Sequence, residues 1–130
     1  MNKILLFLLL SFGVFAQKPL DRFEKEILAF EKQDSIAMPA KGMKLFIGSS
    51  SFRLWKNFDI DTKGSNSFNR GFGGSTLKEA LYYFDRMVAK YQPSWVFVYE
   101  GDNDLTMGTS PEEIAAQFEE FSARLAKQVP

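Results

Sequence analysis

Trp95-Val96-Phe97-Val98-Tyr99 is a run of five apolar and aromatic residues with no polar break. A run of this length reads as a strand, and its lack of alternation predicts burial on both faces, as in a parallel sheet. The stretches around it fit that architecture. Met43 to Ile47 reads as an earlier strand, and Ser67-Phe68-Asn69-Arg70 as a weaker one between the two. Leu77, Ala80, Leu81, Phe84, Met87, Val88 and Tyr91 recur at helical spacing. Thr76 and Glu79 have the spacing of a capping box at the start of this helix, and Pro93 ends it. Ser110-Pro111-Glu112-Glu113 opens a further helix, with a cap and then proline at the first helical position. Its inner stripe is Ile114, Phe118, Phe121 and Leu125. Near the start, Asp21 and Glu24 have the same capping spacing ahead of Phe23, Ile27 and Phe30, with an end expected at Gln33-Asp34-Ser35. Strands that alternate with helices predict an α/β fold with a parallel sheet.

Composition narrows the function. The 130 residues carry 16 basic and 16 acidic side chains, so net charge gives no reason to expect nucleic acid or an anionic membrane as partner. The absence of cysteine excludes disulfides and thiolate metal sites. Histidine is absent too, which removes the commonest general base and zinc ligand. No cofactor and no metal is implied. Residues 1–16 have the layout of a secretory signal peptide: Asn2-Lys3, an apolar stretch from Ile4 to Phe15, and small residues around Ala16. The apolar stretch is too short for a membrane span, which needs roughly 20 residues. A secreted or periplasmic protein without a stable membrane anchor is expected. The division read from the sequence is a leader over 1–16, an N-terminal helix and linker over 17–42, and the α/β domain over 43–130.

In a parallel sheet the strand C-termini share one edge, where open α/β folds hold their ligands. The loops due there are Gly48 to Ser51, Gly71 to Ser75 and Gly101 to Asp104. Each joins glycine to small polar residues, and each has an ordinary reading of its own. Ser50 could be part of a capped turn. Gly71 to Thr76 could be a phosphate loop, but it lacks the lysine of a P-loop and the last glycine of a dinucleotide fingerprint. Asp102, Asn103 and Asp104 with Glu113 nearly match a calcium loop, but Met107 stands where that loop needs glycine. The Gly-x-Ser-x-Gly elbow fails because Phe52 takes the final glycine position.

Together the three loops resemble the SGNH, or GDSL-type, hydrolase family. Gly48-Ser49-Ser50-Ser51 resembles its first block, Asn69-Arg70-Gly71-Phe72-Gly73-Gly74-Ser75-Thr76 its second, and Gly101-Asp102-Asn103-Asp104 its third, Gly-x-Asn-Asp. The likeness spans about Met43 to Leu125. Ser49 stands where the name motif has aspartate. The resemblance implies a three-layer α/β/α, flavodoxin-like fold, incomplete here at its C-terminal end. It further implies Ser50 as nucleophile, and an oxyanion hole made by the backbone N–H groups of Ser50 and Gly74 and the side-chain amide of Asn103. The implied substrate is an ester: a small molecule, a glycan or a lipid.

The family's fourth block, Asp-x-x-His, supplies the base and is not present in these residues. Without a base, a serine triad can lose on the order of 10⁶ in turnover. Two expectations follow. The chain is the N-terminal part of a longer ester hydrolase, or it is a non-catalytic relative that binds esters or glycans. The first is favoured, because three strands alone leave Trp95 to Tyr99 as an exposed hydrophobic edge.

Overall fold

The computed structural model describes residues 19–129. The leader expected over 1–16 lies outside them. Among the described residues no helix is long and apolar enough to cross a membrane.

Three parallel strands, β1 (Lys44–Gly48), β2 (Ser67–Gly71) and β3 (Trp95–Tyr99), form one sheet in the order β2-β1-β3. Leu45 is in register with Phe68 and Val96, and Phe46 with Asn69 and Phe97. The register sorts the side chains between two faces, because alternate residues of a strand point oppositely.

One face meets the larger helices. Leu45, Ile47, Phe68, Val96 and Val98 pack with residues of α1 (Glu24–Ile36), α4 (Leu77–Tyr82), α5 (Phe84–Met87) and α7 (Pro111–Gln128). Ile27, Leu77, Ala80, Leu81, Phe84, Met87 and Phe121 are the buried hydrophobic contributions of those helices. The other face is covered by two single turns, α2 (Ser50–Arg53) and α3 (Phe58–Asp61). Phe46 is the centre of this thinner layer, with the rings of Phe52, Trp55, Phe58 and Phe97 around it at 4.4–6.0 Å. The sheet therefore lies between two helical layers of unequal depth.

Several local expectations need correction. Asp21 does not cap α1: Leu20–Phe23 winds as a 3-10 turn after Pro19, and no side chain caps either start. The helix then runs on to Ile36, past the expected stop. The stripe from Leu77 to Tyr91 is three pieces, α4, α5 and a 3-10 turn over Ala89–Tyr91, because the backbone leaves helical geometry at Tyr83 and Val88. The capping box at its start does form, with Thr76 and Glu79 each bonding the other's backbone N–H. The polar stretch after the Ser50 turn contains α3, and the loop expected over Gly101 to Asp104 is mostly the first turn of α6 (Asp102–Thr106). Trp95–Tyr99 is not buried on both faces. Val96 and Val98 face the core, whereas Trp95, Phe97 and Tyr99 are exposed.

Candidate active site

The three loops meet at the C-terminal edge of the sheet, and hydrogen bonds join them pairwise. Gly48 ends β1 at φ +148°, hard against β3: a Cβ on it would lie 2.2 Å from the Tyr99 carbonyl oxygen. Only glycine fits a conformation and a contact of that kind. The next amide, Ser49 N–H, donates to that carbonyl at 3.0 Å, and Phe72 N–H donates back to Gly48 at 2.9 Å. Ser49 is fully buried. Ser50 opens α2 and is half-buried.

The turn that carries Ser50 rests on β2. The Asn69 side-chain amide donates to the Phe52 carbonyl at 2.8 Å, and its oxygen accepts from Gly71 N–H at 2.7 Å. Gly71 has no room for a side chain: a Cβ there would meet the backbone nitrogen of Arg53 at 2.5 Å. Asn69 and Gly71 thus fix the height of the Ser50 turn above the sheet.

Gly74 has φ +77°, and a Cβ on it would meet nothing within 4 Å. Glycine is required there by backbone conformation and not by crowding. Its carbonyl accepts from Arg22 at 2.9 Å, and the same guanidinium pairs with both carboxylate oxygens of Glu79. Ser75 is fully buried and connects the second loop to the third. Its hydroxyl donates to Glu100 Oε1 at 2.6 Å, and its carbonyl accepts from Asn103 Nδ2 at 2.9 Å. That bond uses one of the two hydrogens on the Asn103 amide and leaves the other to donate.

Asp104 faces inward. Both its oxygens accept from Leu77 N–H at 3.1 Å, at the first turn of α4. Burial pushes its carboxyl up, against the pull of the hydrogen bonds from Leu77 and from nearby backbone. With Asp104 committed to Leu77, the calcium-loop alternative loses one of its ligands. Burial also pushes the Glu100 carboxyl up to about 8, helped by the negative charges of Asp104, Asp102 and Glu79 and opposed by the Ser75 hydroxyl. Glu100 stands on the wall of an apolar cavity of about 550 Å³ with Leu77, Val98, Leu105, Ile114 and Phe118.

The structure therefore brings the loops of Ser50, Gly74 and Asn103 to one edge. It adds three residues that the sequence did not single out. Arg22 holds Gly74 from 52 residues away, Asn69 seats the Ser50 turn, and Glu100 anchors Ser75. Only Asn69 carried a signal, as part of the second motif block.

Comparison with solved structures identifies the architecture. A protein from Streptococcus pneumoniae named for platelet activating factor superposes with a TM-score of 0.70 at 21% identity, over 83% of this chain and 50% of its own. A GDSL-like lipase from Bacteroides thetaiotaomicron gives 0.68 at 15% identity, over 85% and 55%. A Bacteroides fragilis protein named as an acylhydrolase gives 0.68 at 18% identity, over 86% and 55%. The fold is that of the GDSL-like hydrolases. This chain spans about half the length of those structures. No family model and no curated protein matches the sequence.

Proposed function

We propose that this GDSL-like chain carries the nucleophile and oxyanion-hole part of a serine ester hydrolase. Ser50 Oγ attacks the ester carbonyl. The N–H groups of Ser50 and Gly74 and the free hydrogen of the Asn103 amide receive the developing oxyanion. Donors aimed at that charge are worth roughly 10²–10³ in rate each. The observation that carries the reading is the Asn103–Ser75 bond, which ties the Gly-x-Asn-Asp loop to the residue after Gly74 on the edge where Ser50 starts α2.

The chemistry requires a base to take the Ser50 proton. No histidine occurs in these 130 residues, so the reading requires one from outside this sequence. The same fact favours a second reading, in which the site binds esters or glycans without cleaving them. The leader-like residues 1–16 support a secreted or periplasmic setting, and the substrate is an ester of a small molecule, glycan or lipid.

Hydrolysis of a p-nitrophenyl ester by the natural full-length gene product tests both. Under the first reading, Ser50→Ala abolishes turnover and labelling by a fluorophosphonate. Equal rates for wild type and Ser50→Ala would remove Ser50 from the mechanism. Saturable ester binding with no turnover in the wild type would establish the second reading.

A further inference from the structure

Five arginines lie among the described residues, and four of them have carboxylate partners. Arg22 pairs with Glu79, Arg70 with Asp34, Arg86 with Glu24 and Glu31, and Arg124 with Asp85. Among the described residues Arg53 has no such partner. It follows Ser50 by three positions on the single turn of α2. Side chains at that spacing are neighbours on one helix face, with Cβ atoms about 5–6 Å apart.

The guanidinium has a place made for it. A Cβ on Gly73 would fall 2.0 Å from Arg53 Nε and 2.4 Å from Cζ. Gly73 is not among the glycines with positive φ, so its backbone does not demand glycine. The space does: any side chain at 73 would expel the guanidinium from the loop that leads to Gly74. The arrangement keeps a permanent positive charge, exposed to solvent, between the Ser50 turn and the Gly74 loop. An arginine fork matches a carboxylate or phosphate in shape and charge.

We propose that Arg53 is a specificity residue that binds an anionic group on the ligand, a carboxylate or phosphate set a few atoms from the ester carbonyl. The position of the carbonyl rests on the ester-hydrolase reading; the anion site itself does not.

The test is an NMR titration of the natural full-length gene product with two esters of matched shape, monomethyl succinate and neutral dimethyl succinate. The anionic ester is expected to bind about fivefold tighter or more and to shift the amides of Arg53, Gly73 and Gly74. Arg53→Gln should erase that preference, and Arg53→Lys should retain part of it. Gly73→Ala should weaken it by displacing the guanidinium. Equal affinity for the two esters in the wild type, no binding of either, or a preference that survives Arg53→Gln would overturn the proposal. Ser50→Ala keeps the preference if the anion site is right. Loss of fluorophosphonate labelling in that variant judges the hydrolase reading separately.

Discussion

The Ser75 hydroxyl donates to Glu100 Oε1 at 2.6 Å, and this bond joins the loop after β2 to the loop after β3. The other carboxyl oxygen of Glu100 is buried without a partner. Burial, with like charge from Asp104, Asp102 and Glu79, raises this carboxyl from its ordinary 4.5 to about 8. Between those values the folded chain holds a proton that the unfolded chain has released. The contribution to stability is therefore full below about pH 4.5, falls as pH rises towards 8, and is level above. Asp104, also raised, adds slope of the same sign. Urea unfolding at pH 5 and pH 8 should show a loss on the order of 3 kcal/mol in the wild type. Glu100→Gln, which still accepts from Ser75, should remove most of that loss. An unchanged difference between the two pH values would show that Glu100 is ionised in the fold.

Asp34 provides the opposite sign. Burial pushes its carboxyl up, but hydrogen bonds from Lys90, Tyr91 and Arg70 outweigh burial and hold it below the ordinary 3.8. Its stabilisation is present above the unfolded value and is lost as pH falls through the folded one. The group joins α1 to β2, with Arg70 also donating to Tyr91 Oη at 2.9 Å. Asp34→Ala leaves the Arg70 charge buried and should cost about 3–5 kcal/mol. The double variant Asp34→Ala with Arg70→Met should cost less than the two single changes summed, by about 1–3 kcal/mol. Strict additivity in urea unfolding would mean that the pair does not act as a unit.

The strands and the site loops were legible because their signals are local. Trp95 to Tyr99 is the strand read from the sequence, and the strand read at Met43 to Ile47 is displaced by one residue. Gly48, Gly74 and Gly101 all have positive φ, as the turns beyond β1, β2 and β3 required. What could not be read depends on contacts between distant residues. Nothing around Arg22 marks it as the partner of Gly74, and Asp21 looks like a cap until Pro19 starts a 3-10 turn ahead of it. The apolar stripe from Leu77 to Tyr91 conceals two helix breaks, because its periodicity reports which residues are buried and not whether the helix is continuous. The exposure of Trp95 was hidden for a similar reason: composition shows that a strand is apolar, but not whether anything lies over its outer face.

Gly48 and Gly74 separate two reasons for glycine. Gly48→Ala would drive a Cβ into the Tyr99 carbonyl at 2.2 Å and break the β1–β3 junction. A loss of about 3 kcal/mol or more is expected, or no soluble fold. Gly74→Ala meets open space and should cost only the left-handed penalty, about 1–2 kcal/mol. Urea midpoints of the two variants, compared side by side, check the order. Equal losses would mean that the contact at Tyr99 relaxes easily.

Trp95, Phe97 and Tyr99 project from one face of β3, with 64%, 41% and 45% of their surface exposed. Among the described residues β3 pairs only with β1, so its other edge is open as well. An open edge beside exposed aromatic side chains is a template for association between chains. Sedimentation of the 130-residue chain should therefore show mass rising with concentration. Trp95→Lys with Tyr99→Lys should shift the distribution towards monomer, because charge on an edge strand opposes pairing. The substitutions leave Phe97 stacked on Phe46 at 4.4 Å and leave Val96 and Val98 on the core side. Circular dichroism should accordingly remain that of the wild type. A wild-type chain that stays monomeric as concentration rises would show that this exposed edge does not drive association.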